Sequence, residues 1–391
     1  MKCQERFKEI YKRVESGVSF CSYRVCPLGA HIDHQLGKVL GFAVDKGVHI
    51  AYSPKNNGVV ELSSLQFEKR AQFHVMAVPN KQGDWADHLR GATLMLSKKF
   101  PLKVGLCGVV EGSLPIGGLS SSAAVIICFL SALCKVNGIT LDDHELIMLA
   151  KQAENEYVGV SCGKLDQSCE VLSKKDKLLY LDTLDDSYEL IETNPNMKPY
   201  KFAIFFSGVE RALANSGYNT RVDECRAAAF YLKALEGLNA NNEGVNSSSL
   251  RQIPKEIFIK HKDKLPKTWQ MRLEHYYEEF ERVEKGVEAW RNGDIETFGK
   301  LSFESGHSSI YKWEAGSPEL IKLYEIMKET KGIYGGRFSG AGFKGCCMAI
   351  IDPDHQEEIE KKVTEEYLKA FPSLEGKFSV HFCESADGVK I

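Results

Sequence analysis

The sequence predicts two α+β lobes, and three observations carry the prediction. The first part is rich in strand-like runs, a helical tract covers 219–330, and a strand–helix–strand pattern closes the chain. The stretch Asn194-Pro195-Asn196-Met197-Lys198-Pro199 is the clearest polar, proline-bearing break, so the lobes divide as 1–196 and 197–391.

Taken in order, residues 5–16 read as a helix, and Val18–Val25 alternates like a strand. Further strand candidates are Val39–Ala43, Val48–Tyr52, Val59–Leu62 and Gln72–Val75. A helix over Trp85–Lys99 leads to a strand at Lys103–Val110. The next helix begins after Ser120, contains the apolar run Val125–Leu130 and stops near Asn137-Gly138, an ordinary termination signal. Asp142–Tyr157 carries Ile147, Leu149, Ala150 and Ala153 at helical spacing. Strands at Lys177–Leu181 and Lys201–Phe206 precede the helical tract, which the polar loop Asn239–Ser249 interrupts. Strands return at Gly335–Ser339 and Cys346–Ile351, followed by a helix over 354–369 and a last strand at Phe378–Phe382.

With 391 residues, 43% hydrophobic and 26% charged, the chain has the composition of an ordinary globular protein. A net charge of -3 argues against nucleic acid as the main partner, but a local loop can bind a small phosphorylated ligand without a basic surface. The basic run Lys255–Lys267 reads as a solvated face. Met1-Lys2-Cys3-Gln4-Glu5-Arg6 leads into a charged helix rather than a signal peptide, and no apolar stretch reaches the ~18 residues of a membrane span. The twelve cysteines form no CxxC and no zinc-finger spacing, which predicts a cytosolic protein with reduced thiols and no metal cluster.

Four segments could carry chemistry. Ser113-Leu114-Pro115-Ile116-Gly117-Gly118-Leu119-Ser120-Ser121-Ser122-Ala123-Ala124 places glycines and serines at the mouth of a buried helix. Serine there is a capping signal, glycine permits close backbone approach, and the helix start attracts phosphate. A phosphate-binding loop is favoured over a merely capped helix. Arg24–His34 concentrates charge and histidine behind a strand, either as a capped turn or as a polar wall for a hydroxylated ligand, with Asp33 accepting hydroxyl bonds. Glu154 and Asp166 bracket Cys162-Gly163-Lys164-Leu165-Asp166-Gln167; phosphoryl transfer needs such carboxylates for Mg²⁺ and near the attacking hydroxyl, though most glutamates are solvent-facing. Gly335–Gly345 carries five glycines, as a hairpin or as a backbone wall against a ligand, and does not match a Walker P-loop.

Jointly, these segments resemble the motifs of the GHMP small-molecule kinases, named for galactokinase, homoserine kinase, mevalonate kinase and phosphomevalonate kinase. Pro115–Ala123 resembles the Pro-x-x-x-Gly-Leu-Ser-Ser-Ser-Ala motif almost letter for letter, with one residue fewer between Pro115 and Gly118, and Ser339–Gly345 resembles the glycine-rich motif. Arg24–Asp33 is similar to the galactokinase signature Gly-Arg-x-Asn-Leu-Ile-Gly-Glu-His-x-Asp-Tyr, Gly163–Gln167 to Gly-x-x-Asp-Gln, and Arg211–Tyr218 to a sugar-contacting stretch. The resemblance implies a ribosomal protein S5 domain 2-like first lobe and a ferredoxin-like second lobe with helical insertions. It implies a sugar 1-kinase using ATP and Mg²⁺, with small molecules as partners and neither nucleic acid nor membrane. Asp166 would face the anomeric hydroxyl, as base or as electrostatic partner, and Arg24 would stabilise the transferring phosphoryl group. Pro115, Gly117, Gly118, Leu119, Ser120, Ser121 and Ser122 would line the triphosphate; Ser121 or Ser122 with Glu154 would hold Mg²⁺. Ala30, His31, Asp33, Gly163 and Tyr218 would face the sugar, and Trp85 is placed near adenine or in the core.

Two departures matter. Cys26-Pro27 replaces Asn-Leu, and Ala30 replaces the glutamate that points toward C6 of the sugar in galactokinases. A glutamate there would repel a C6 carboxylate, and Ala30 lifts that penalty. In this the chain resembles the galacturonokinases, the D-galacturonate branch of the family. His31, His34, Lys164 and Arg221 are the candidates by charge for holding the carboxylate. Kinases of galactose, L-arabinose or N-acetylgalactosamine are alternatives, as is a non-catalytic sugar and ATP sensor, although Ser120–Ser122, Glu154, Asp166 and Arg24 are all retained.

Overall fold

The computed structural model of this chain describes residues 1–209, 217–238 and 244–389. Helix α1 (Lys2–Tyr11) precedes strands β1 (Gly17–Val25), β2 (Lys38–Lys55), β3 (Val59–Ser64) and β4 (Ala71–His74). Then come α2 (Asp87–Lys99), β5 (Gly105–Gly112), α3 (Ser121–Asn137), α4 (Asp143–Gln152), α5 (Leu165–Leu172), β6 (Lys177–Asp182) and β7 (Tyr188–Glu192). The chain continues through β8 (Lys201–Phe206) into the helices α6 (Tyr218–Leu235), α7 (Lys255–His261), α8 (Lys267–Arg291), α9 (Ile295–Tyr311) and α10 (Pro318–Lys328). It closes with β9 (Ile333–Phe338), β10 (Cys346–Ile351), α11 (Gln356–Ala370), β11 (Ser379–Cys383) and β12 (Ser385–Ala386).

Two sheets organise these elements. The first has eight strands in the order β4-β3-β5-β2-β6-β7, with β1 and β12 also paired to β2. Only β3 and β5 run parallel. Helix α3 lies on β1 and β2 and touches α2, α4 and α5, so it is covered on several sides and apolar residues occupy most of its surface. The second sheet, β11-β8-β10-β9, is antiparallel throughout and is covered by α9, α10 and α11. The chain leaves the first sheet at Glu192 and enters the second at Lys201, yet β12 returns to pair with Ala43 and Val44 of β2. The lobes also share side chains: Phe42 packs on Phe202 and Trp290, with ring centroids 5.1 and 5.2 Å away.

Four local features differ from the sequence reading. The runs 39–43 and 48–52 belong to one strand, β2, because Gly47 does not break it; a Cβ there would lie 2.0 Å from the Cys21 carbonyl oxygen, so the glycine permits close pairing. The helix expected over Asp142–Tyr157 changes at Ala153–Val158 into a π-helical turn, which carries Glu154. The polar segment around Asp166 opens a helix, α5, whose other face buries Leu165, Cys169 and Leu172. Strand β7 has no apolar alternation to mark it in the sequence, since only Ile191 of its five residues is buried. Residues 211–216 of the Arg211–Tyr218 stretch and 239–243 of the polar loop lie outside the described residues.

Candidate active site

The phosphate-type loop owes its shape to backbone angles that few side chains adopt. Gly117 and Gly118 have φ of 123° and 89°. A Cβ on Gly118 would sit 2.6 Å from Cys346 Sγ, and one on Gly345 would sit 2.5 Å from the Gly117 carbonyl carbon. Glycine is therefore required on both sides of a contact between the loop and the glycine-rich hairpin of the second sheet. Ser120 does not cap α3 in the manner its position predicts: it adopts φ 58° and its side chain makes no cap bond. Its hydroxyl is buried without a partner among the described residues, beside the N–H groups of the helix start. A helix end with free donors and an orphan hydroxyl is suited to an anion.

Beside the loop, the bulge in β1 between Ser22 and Arg24 sets the direction of Arg24. Arg24 donates from Nε to Asp166 Oδ1 at 2.8 Å and from Nη1 to the Gly118 carbonyl at 3.1 Å, and its Nη1 lies 3.5 Å from Ser339 Oγ. Burial would lower its pKa, but the Asp166 carboxylate outweighs this and raises it. The site therefore keeps a permanent cation at the loop, facing a carboxylate on the first turn of α5.

A second group surrounds Glu154. The π-helical turn buries its carboxyl, to which Ser122 hydrogen bonds and Gln167 donates from Nε2 at 2.5 Å. Burial, with Asp166 nearby, pushes its pKa up to about 7 against the opposing hydrogen bonds. Asp33 is also buried; it accepts from the Leu165 N–H at 3.2 Å, and burial together with the Asp166 charge lifts its pKa to about 6. A Cβ on Gly163 would lie 2.2 Å from Asp33 Oδ2, so these two segments meet only because residue 163 is glycine.

The wall near Ala30 is aromatic. His31, itself at φ 63°, stacks on Trp313 with ring centroids 5.0 Å apart and planes 8° apart. His34 lies 5.4 Å from the same tryptophan and 5.9 Å, edge-on, from Tyr218. Burial and then the charge of Arg337 hold the His31 pKa well below its ordinary value; burial and Arg226 push His34 down to about 3. Both imidazoles are neutral near pH 7. Behind the wall, His275 Nε2 is 3.0 Å from the Ala30 carbonyl, and Glu279 accepts the Gly29 N–H at 2.7 Å. Burial would raise the Glu279 pKa, but Arg282 and Arg337 hold it at about 2, so this carboxylate is already neutralised.

The predicted residues thus fall into one region with few exceptions. Arg24, Asp166, Gly118, Ser120, Ser122 and Glu154 come together through the contacts above, as do Asp33 with Gly163 and His31 with Tyr218, whose rings are 6.4 Å apart. Leu119 is buried beneath the loop, its carbonyl accepting the Arg24 N–H, while Pro115 is exposed and Ser121 half-buried. Trp85 stacks on Phe67 at 5.8 Å and donates from Nε1 to the Lys69 carbonyl at 2.6 Å; Gln66 of the same segment bonds Gly112 just before the loop. Of the carboxylate-binding candidates, Lys164 pairs with Asp186, and Arg221 directs Nε, Nη1 and Nη2 to the carbonyls of Trp313, Gly217 and Glu314. Trp313, His275 and Glu279 escaped the sequence reading because each sits in the helical tract, where such residues read as ordinary core or surface.

A loop suited to an anion, a fixed guanidinium and two carboxyl groups brought close together are the parts of a phosphoryl-transfer site. Residues 81–174 match the GHMP kinases N terminal domain, 286–369 the GHMP kinases C terminal domain, and 5–54 the galactokinase galactose-binding signature. The chain is 39% identical to a galacturonokinase of Arabidopsis thaliana, over 96% of its own length and 94% of that protein's. It is 32% identical to a galactokinase of Clostridium acetobutylicum, over 99% of this chain and 97% of that one. The crystal structure of Lactococcus lactis galactokinase complexed with galactose superposes with a TM-score of 0.87 at 26% identity, covering 99% of this chain and 98% of that one. The chain belongs to the GHMP kinase family, in its galactokinase branch. It is a sugar kinase, a phosphotransferase with an alcohol group as acceptor, and the family implies ATP as the donor. Among the described residues no helix is long and apolar enough to cross a membrane, and all twelve cysteines are free thiols.

Proposed function

We propose that the protein transfers the γ-phosphoryl group of ATP to the anomeric hydroxyl of D-galacturonate, giving D-galacturonate 1-phosphate and ADP. The observation that carries this reading is Ala30, 6% exposed, at the position where galactokinases carry glutamate. Its backbone is tied to His275 and its neighbour's to Glu279, a carboxylate already paired with arginine. A uronic acid entering here meets no unpaired carboxylate from residue 30. The relative named galacturonokinase supports the same reading.

In this reading Asp166 faces the anomeric hydroxyl, as base or as electrostatic partner, and Arg24 faces charge developing on the transferred group. Pro115, Gly117, Gly118, Leu119, Ser120, Ser121 and Ser122 line the triphosphate, and the Trp85 and Phe67 pair offers a face to adenine. Ser122 and Glu154 are two hard oxygen donors already in contact, which fits Mg²⁺, and Ser121 is the neighbouring hydroxyl. The ion would neutralise phosphate charge when bound. Asp33, Gly163, His31 and Tyr218 line the sugar. Most of the catalysis then comes from positioning and electrostatics.

The test is a comparison of kcat/KM, by ADP release, for D-galacturonate, D-galactose, L-arabinose and N-acetylgalactosamine. Galacturonate is expected to exceed galactose; the reverse order refutes the assignment. Galactose is the second reading, favoured by the match of residues 5–54 to a galactose-binding signature. Binding of sugar and ATP without ADP release would instead identify a sensor.

Asp33 supplies a pH-dependent prediction. Its folded pKa, about 6, lies above its ordinary value of 3.8, so the folded state keeps a proton that the unfolded chain has released. Stability therefore falls as pH rises from about 4 through about 6, by roughly 3 kcal/mol at most. Asp33→Asn is expected to raise Tm over wild type at pH 8 and not at pH 4, while raising the sugar KM at least about 10-fold through loss of a charged acceptor. Thermal melts at both pH values check the first part and steady-state kinetics the second.

A further inference from the structure

Two N–H groups in the aromatic wall are buried and have no acceptor among the described residues. Trp313 is fully buried, and its Nε1, which can only donate, has no partner among the described residues. His34 Nε2 is likewise buried and unpartnered among the described residues. The hydrogen-bond network settles which nitrogen of His34 carries the proton. The Leu250 N–H donates to Gln35 Oε1 at 3.0 Å, which fixes the orientation of the Gln35 amide. Gln35 Nε2 must then face His34 Nδ1, 3.0 Å away, and donate to it. In a neutral imidazole that leaves the proton on Nε2. Both orphan groups are therefore donors, on neighbouring rings, and both rings adjoin His31, Tyr218 or His275, which in turn reaches the Ala30 carbonyl.

Burying two donors without acceptors among the described residues is costly, and a bound ligand would supply the acceptor they lack. We propose that His34 Nε2–H and Trp313 Nε1–H bind the C6 carboxylate of the uronic acid substrate, so that the acid is recognised by neutral donors rather than by a salt bridge. The proposal rests on the reading of galacturonate as substrate. The charged alternatives are committed elsewhere: Lys164 to Asp186, Arg221 to three carbonyls, and Arg272, which lies over the Trp313 ring, to Glu224 and Glu314. Their fields still contribute, since Arg337 and Arg221 both impose positive potential on His31. Neutral donors in such a field favour a carboxylate and add no mobile cation of their own.

The experiment measures kcat/KM for D-galacturonate and D-galactose in wild type, Trp313→Phe, His34→Leu and His34→Gln, with Tm of each. Phe keeps the stacking and removes the N–H; Gln carries an N–H to about the reach of Nε2. The ratio of galacturonate to galactose kcat/KM is expected to fall about 10- to 100-fold in Trp313→Phe and in His34→Leu, the size of one hydrogen bond to a charged group. It should stay within a few-fold of wild type in His34→Gln. A wild-type preference for galacturonate that survives Trp313→Phe and His34→Leu overturns this inference and leaves the substrate reading standing. So does an equal fall in His34→Gln and His34→Leu. A wild-type preference for galactose overturns both.

Discussion

Replacing Asp166 with asparagine is expected to lower kcat about 1,000-fold, the middle of the range for a positioned acid–base group. The substitution keeps the size of the side chain but removes the charge that holds Arg24 at 2.8 Å. Arg24 is 2% exposed, so the variant also leaves a guanidinium buried without its counter-ion. Breaking such a pair costs about 3–5 kcal/mol in fully buried cases, and Asp166 is only partly buried, so a smaller loss is expected here. The two effects can be separated. Adding Arg24→Met relieves the unpaired charge and should recover much of the Tm, while kcat stays low or falls further. ADP release at saturating sugar, together with thermal melts of wild type, single and double variants, checks both. Full activity in Asp166→Asn would remove this residue from the reaction.

Ala30→Glu should reduce kcat/KM for galacturonate by about 1,000-fold more than for galactose. Two carboxylates about 4 Å apart repel by about 4 kcal/mol at an effective dielectric of 20, and each 1.36 kcal/mol is a factor of ten. The residue is too buried for solvent to screen the added charge fully. Galactose has no charge at C6 and gains an acceptor for its hydroxyl, so its kinetics report whether the variant still folds and turns over. Equal losses on both sugars would mean that the glutamate acts by bulk, and the charge argument would fall.

Much of this site was legible in the sequence where function depends on neighbours along the chain. The loop at 113–124 could be read because glycine at positive φ and a helix start are local requirements. Even so, Ser120 proved to be an unpartnered left-handed residue and not a side-chain cap. Glu154 was indistinguishable from a surface helix residue, because nothing local announces that the helix widens at Ala153 and turns its carboxyl onto Ser122. The lobes and most strands followed from alternation, but β2 read as two strands, since a glycine that breaks a strand and one that lets Cys21 approach look alike in sequence. Trp313 was out of reach: it meets His31 across 282 positions, through helix packing that no spacing rule describes.

The meeting of Gly117 with Gly345, and the return of β12 to β2, bear on how the enzyme comes into being on the ribosome. A nascent chain that has emerged only through its first lobe has made every residue of the loop at 113–124 but none of the wall against which the loop rests. The strand that pairs with Ala43 and Val44 of β2 follows the second sheet in the chain. The loop at 113–124 thus meets its wall only after residues of the second sheet have been made, and domain-by-domain folding of the first lobe alone leaves it unsupported.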